Sequence, residues 1–287
     1  MQPRFKKRLL QITALAAAVG ISISAQAHRA WLLPSSTVLS GESPWITVDA
    51  AVSNDLFYFE HFPLRLEGVG ASDAHMAGAP LQIIAPDGSK AEPQNGAVGR
   101  YRSTFDVQLT QEGTYKIAVV RGGGLFASYT ENGERKRWRG TTETFAREVP
   151  QNAADLQVTQ SDSRIELFVT AGNPTESVFT PTGKGLELKP VTHPNDLFAE
   201  EKAEFQLLLD GTPARDVEVT VIRGGKRYRN QLEEITTTSD GNGMITIEWP
   251  QAGMYWLEAE IETGQGVTAP ATSRRASYIA TLEVLPQ

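Results

Sequence analysis

Cysteine is absent from the 287 residues. That removes disulfides, thiolate metal sites, a cysteine nucleophile and the lipid anchor that a cleavage-site cysteine would carry. Positive charge is also scarce: 27 Lys and Arg stand against 34 Asp and Glu, a formal net charge of −7. Nucleic acid and anionic lipid both demand a basic face, so this balance argues against them as partners and is compatible with cations. Catalytic signatures are missing too. The chain has no Gly-x-Ser-x-Gly elbow, phosphate loop, dinucleotide fingerprint or His-Glu-x-x-His zinc motif, and paired carboxylates such as Glu233-Glu234 are ordinary in an acidic chain. It therefore reads as a binding protein rather than an enzyme.

Long apolar runs are lacking after the first 25 residues, and the single early run has a particular setting. Arg4, Lys6, Lys7 and Arg8 precede an apolar stretch from Leu9 to Ile23, and Ala25-Gln26-Ala27 follows as a small-x-small cleavage site. This is the order of a secretory signal peptide, and a run of about 15 residues falls short of the roughly 20 that span a bilayer. Cleavage after Ala27 is expected to release a periplasmic protein without direct membrane insertion. Its 23 basic residues would face the same 34 acidic ones.

Helical periodicity is sparse, whereas period-2 alternation between turn residues recurs. Strands are expected at 45–52, 81–84, 101–109 and 114–120 in a first unit, and at 203–209, 217–222, 244–249, 254–261 and 277–284 in a second. Pro86-Asp87-Gly88, Asp210-Gly211 and Asp240-Gly241-Asn242-Gly243 supply turn residues that tolerate positive φ. Gln111-Glu112-Gly113-Thr114-Tyr115 matches Gln251-Ala252-Gly253-Met254-Tyr255, each a candidate tyrosine corner of an immunoglobulin-like sandwich. The expected architecture is all-β, two tandem β-sandwiches after the signal. Residues 1–27 are the signal, 28–122 the first sandwich, 123–182 an irregular connection with one strand at 164–170, and 183–287 the second sandwich. Within the connection, Arg135 to Arg139 with Trp138 is a candidate partner surface.

Four histidines are available: His28, His61, His75 and His193. His193 reads as a structural imidazole. His28 would become the mature N-terminus, so its α-amine and its Nδ1 chelate one ion from a single residue. A second histidine completes a three-nitrogen histidine brace, a donor set that in tetragonal geometry favours Cu(II) or Ni(II). The candidate partners are His75, in Asp73-Ala74-His75-Met76, and His61, at the end of Asp55-Leu56-Phe57-Tyr58-Phe59-Glu60-His61. Met76 adds a soft thioether, and Asp73, Glu60 or Asp55 would neutralise the ion. The Asp240 loop opens like a calcium loop, but the twelfth position is Gln251 where a bidentate glutamate belongs, so a hairpin is expected.

Three segments carry a further likeness: 183–197, with Lys189-Pro190-Val191-Thr192-His193-Pro194-Asn195; 205–211; and 238–243. Together with His28-Arg29-Ala30-Trp31-Leu32-Leu33-Pro34 and Ser53-Asn54-Asp55-Leu56-Phe57-Tyr58-Phe59, they resemble a bacterial periplasmic family of unknown function associated with nickel and cobalt uptake of the NikM type. The resemblance implies a carboxypeptidase regulatory-like second sandwich. It also implies a periplasmic accessory that captures or delivers Cu(II), Ni(II) or Co(II), working with an outer-membrane receptor or envelope transporter. NikM-type subunits span the membrane several times, and no such segment follows the signal here, so transport itself is not implied. The alternative is an interaction module that docks a receptor or envelope partner without metal.

Overall fold

The computed structural model describes residues 28–71 and 78–287, so the expected signal at 1–27 and the stretch 72–77 lie outside the described residues. The architecture is all-β and sandwich-like, as the alternation predicts. The principal strands are β1 (Arg29–Pro34), β2 (Trp45–Ser53), β3 (Leu81–Ile84), β4 (Gln94–Val98), β5 (Ser103–Gln108), β6 (Gly113–Glu131) and β7 (Glu134–Gly140). A short helix α1 (Thr142–Glu148) leads to β8 (Ala154–Ala171), β9 (Leu186–Pro190), β10 (Lys202–Leu209) and β11 (Glu218–Arg223). The chain ends on β12 (Ile235–Thr238), β13 (Met244–Glu248), β14 (Gly253–Thr263) and β15 (Ser273–Val284).

Three sheets result. Strands β1-β2-β5-β4 form one, β9 and β13 flank β10 in another, and a ten-stranded sheet runs β12-β11-β14-β15-β8-β6-β3 with β7 added beside β6. The large sheet joins the two halves through a parallel pairing, Thr159↔Ser273 to Leu167↔Thr281. Its strands serve two cores at once, because neighbouring residues point to opposite faces. Trp256, Ile222 and Ile279 enter the core of the first half beside Trp31 and Phe105. Tyr255, Leu257 and Tyr278 enter that of the second beside Phe205 and Trp249. Polar bonds reinforce the seam: Trp256 Nε1 donates to Ala30 O at 3.1 Å and Thr281 Oγ1 to Leu32 O at 2.6 Å. The two sandwiches therefore share their middle layer instead of following one another as separate bodies.

The segment expected to be irregular contains the outer half of β6, then β7, α1 and all of β8. Gly122-Gly123-Gly124 reads as a chain break, yet the strand continues through it. Gly122 and Gly123 bulge opposite the single residue Asp162, whose carboxylate accepts the Gly123 N–H at 2.9 Å. Alternation is hard to see beyond the bulge because only a small cluster of Leu125, Ala127, Val158 and Ala271 covers one face and the other stays polar.

Both tyrosine corners are present. Gln111 N–H donates to Tyr115 Oη and Tyr255 Oη–H donates to Gln251 O, each at 2.8 Å. The preceding glycines share a positive φ, 129° at Gly113 and 143° at Gly253, a region that L residues rarely adopt. The Asp240 loop is the expected hairpin, its carboxylate accepting the N–H groups of Asn242 and Met244 at 2.8 Å. Among the described residues, no helix is long and apolar enough to cross a membrane.

Candidate metal centre

Strand β2 is flanked on one side by β1, with Arg29 opposite Ser53, and on the other by a two-residue strand, with Phe62 opposite Val52. His28 and His61 each precede one of these flanking segments, so the topology delivers both to the same end of the sheet. Their rings stack with centroids 4.0 Å apart and planes 9° from parallel. Phe62 supports them, 4.5 Å from His61 and 6.0 Å from His28. Both imidazoles are exposed.

The loop from Asn54 to His61 is fixed from within. Glu60 Oε1 accepts the N–H groups of Asn54 and Asp55 at 2.8 and 3.0 Å, so this carboxylate caps the loop instead of reaching toward the rings. Ser53 Oγ accepts the Trp31 indole N–H at 2.8 Å and its hydroxyl donates to Asp55 O at 2.6 Å. Phe57, at φ 59°, packs edge-on to Trp31 at 5.5 Å, with Phe59 at 5.6 Å. One carboxylate oxygen of Asp55 is buried without a hydrogen-bond partner, and Arg227 lies over the neighbouring Tyr58 ring at 3.9 Å.

Of the expected ligands, His28 and His61 are brought together. Asp73, His75 and Met76 lie outside the described residues. Among the described residues, no third His, Asp or Glu joins the pair to complete a metal cluster. His193 is structural, as its sequence context implies. Its Nδ1 accepts the Asn195 N–H at 3.1 Å, which leaves the proton on Nε2, 3.0 Å from Thr114 Oγ1. Burial holds its pKa below the usual histidine value.

Both side chains end in imidazole, a donor type that copper, nickel and zinc ions all accept. Imidazole nitrogens bind such ions at about 2.0 Å, so two of them around one ion stand at most about 4 Å apart. The 4.0 Å between His28 and His61 is a separation of ring centroids in a stack, a different quantity from the distance between two coordinating nitrogens. Lone pairs lie in the ring planes, so joint coordination requires the rings to turn out of their stack, a freedom that two exposed side chains have. The stacking partner Phe62 escaped the sequence reading, since nothing in a linear pattern marks which aromatic will sit beneath a histidine.

Residues 25–263 match the family described as a domain of unknown function, DUF4198, and the chain belongs to that family. The description assigns no activity or metal, so the nickel and cobalt expectation stays with the resemblance. No curated protein matches the chain. Among solved structures it is similar to the D0-D1 domain of intimin, at 13% identity, covering 88% of this chain and 97% of that one with a TM-score of 0.22. It is also similar to a DUF4785 family protein from Legionella pneumophila, at 7% identity, covering 79% and 50% with a TM-score of 0.22.

Proposed function

We propose that this member of the DUF4198 family is an exported, periplasmic protein that captures Cu(II) or Ni(II) at its mature N-terminus. His28 would contribute its α-amine and Nδ1, His61 a third nitrogen, and His75 is the alternative third donor. The observation that supports this is the meeting of His28 and His61, 33 positions apart in the chain, with ring centroids 4.0 Å apart. An acidic chain without thiols suits divalent cations better than soft Cu(I), and the protein would hand its ion to an envelope receptor or transporter. When bound, the ion would supply a tetragonal nitrogen-ligated centre; the residues' part is to gather and orient the donors.

The test is calorimetric titration of Cu(II) and Ni(II) into protein purified from the periplasm, with intact mass confirming a start at His28. Binding tighter than about 1 μM is expected. One glycine added before His28 should weaken it as severely as His28→Ala, because the amine becomes an amide and the chelate is lost. His61→Ala should weaken it more than His75→Ala. Equal binding by the glycine-extended and native proteins overturns the N-terminal site. No binding by either leaves the docking-module reading in its place.

A further inference from the structure

Strand β7 pairs with β6 alone and ends the sheet on that side. Asn132 and Gly133, at φ 53° and 81°, turn the chain between the two strands, the pair of positive values that a two-residue hairpin requires. That turn sets the phase of the ladder. Glu134 closes the hairpin on Glu131 as a hydrogen-bonded pair, so Lys136, Trp138 and Gly140 direct their amides at β6, and Arg135, Arg137 and Arg139 direct theirs outward. Among the described residues, no backbone hydrogen bond outside the β6 pairing reaches 134–140. The free edge of β7 is therefore made of the main chain of three arginines.

Their side chains share one face by alternation and are exposed there, opposite Thr130, Ser128 and Phe126 of β6. Arg135 donates to Ser128 Oγ at 3.2 Å and Arg139 lies over the Phe126 ring at 4.4 Å. Among the described residues, none of the three enters an ion pair. Arg121 stands on the same face, since it pairs with Ser163 of β8 as Phe126 pairs with Thr159. Partial desolvation, and then the like charge of Arg139, hold its pKa below the ordinary arginine value. The strand's own carboxylate points elsewhere: Glu134 pairs with Lys136 at 3.0 Å on the other face, where Phe145 of α1 packs on Trp138. One face is thus backed by a helix, and the other concentrates positive charge in a chain whose net charge is −7. Edge protection does not account for this. A single charged side chain turns away a neutral strand, and β12, at the far edge of the sheet, reads Ile-Thr-Thr-Thr without a charge.

We propose that β7 binds an extended acidic segment of a partner protein by strand addition, with glutamate or aspartate at every second position of the guest strand. In an antiparallel guest, the residue opposite each outward-directed arginine exchanges both main-chain bonds with it. The two Cα atoms then stand about 5.5 Å apart and the two side chains share a face. Carboxylates on alternate guest residues, roughly 6.8 Å apart, meet Arg135, Arg137 and Arg139 in one register, and charge-assisted bonds add to those of the main chain. A slip of one residue turns the carboxylates to the Trp138 face, so charge fixes the register. A second copy is not the guest, because its own alternating row, Glu258, Glu260 and Glu262, belongs to β14, an interior strand between β11 and β15. The inference is independent of any metal at His28.

The test is calorimetric titration of the mature protein with short synthetic peptides that alternate threonine with glutamate, glutamine or lysine. The glutamate peptide should bind at about 0.01 M salt. Its dissociation constant should rise at least about tenfold at about 1 M, where the screening length falls from about 30 Å to about 3 Å. The glutamine peptide should bind at least about tenfold more weakly, and the lysine peptide not at all. Methylating the main-chain nitrogens of the glutamates keeps every charge and removes the donors aimed at β7, so it should also weaken binding at least about tenfold. Amide exchange at Arg135, Arg137 and Arg139 should slow in the complex. Arg137→Glu should abolish binding, with a thermal melt to show that the variant folds, and Arg137→Gln should weaken it. No binding of the glutamate peptide up to about 1 mM at low salt, or equal binding of its methylated form, overturns the proposal. Capture by phosphatidylglycerol vesicles through these arginines, in place of the peptide, overturns it as well.

Discussion

The two halves are built to the same plan and differ in what they do with it. Each closes a smaller sheet over one side of the ten-stranded sheet, and each pins its last turn with a tyrosine corner after a glycine at positive φ. In the second half the polar loops are spent on the fold itself: Asp240 ties its own turn, and Glu187 accepts the N–H groups of Thr182, Gly183 and Lys184. In the first half, Glu60 caps the loop that carries His61 to His28 and leaves both rings exposed. Equivalent scaffolds thus differ in their loops: the proposed site lies at the end of the first half, where the loop before His61 is ordered from within and both imidazoles stay exposed.

The largest break in that symmetry is expected at Trp256. It is fully buried, packs into the first core although it belongs to a second-half strand, and bonds Ala30 O. Trp256→Ala should cost about 3 to 5 kcal/mol, read by urea denaturation, and the loss should appear in probes of both halves as one transition. Leu257→Ala, its neighbour facing the second core, should cost about 2 to 5 kcal/mol. Two separated transitions in the Trp256 variant would show that the shared sheet does not couple the halves.

A smaller effect compares the corners. Tyr115 accepts a backbone N–H, so Tyr115→Phe strands a donor; Tyr255 donates to a carbonyl, so Tyr255→Phe removes one of an oxygen's two possible bonds. Orphaned N–H groups are tolerated less well than under-satisfied carbonyls. Tyr115→Phe should therefore cost about 1 to 3 kcal/mol and Tyr255→Phe about 1 kcal/mol or less, by chemical denaturation. Equal losses would show that ring packing, not bond direction, sets the corner's worth.

Much of this plan is legible in the chain. Strands of both halves fall where alternation places them, since one face of each is covered and the period is clean. The Gln-x-Gly-x-Tyr repeat marks both corners because the φ of its glycine and the reach of its phenol are local facts. The outer region of β6 to β8 is not legible, because a half-solvated sheet with a glycine bulge loses its contrast between faces. Trp138 shows the cost of that loss. Read as part of an exposed surface, it turns to the other side, where it donates to Glu148 at 2.8 Å and packs on Phe145 at 5.4 Å. On the opposite face Arg139 lies over the Phe126 ring at 4.4 Å. At the candidate centre, His28 is picked out by the expected cleavage site before it, whereas its pairing with His61 depends on which strands flank β2, a long-range fact that no spacing encodes.

The smallest predicted effect lies at the seam between the halves. His193 lies in the second sandwich between β9 and β10 but bonds Thr114, the residue before the first half's corner tyrosine, and Asn195 beside it donates to Phe168 O of β8 at 2.9 Å. Burial lowers the histidine's folded pKa, partly offset by a backbone bond to Thr175 and by Asp196 and Glu176. The unfolded chain, with a histidine pKa near 6.5, therefore binds the proton more readily than the folded one. Stability from the neutral ring is complete above that value and declines as pH falls through it toward the lowered folded value. His193→Gln keeps an amide donor for Thr114 and cannot titrate. Denaturation midpoints between about pH 7 and pH 5 should fall more steeply for the native protein than for this variant. Parallel profiles would show that the seam does not sense the charge on this ring.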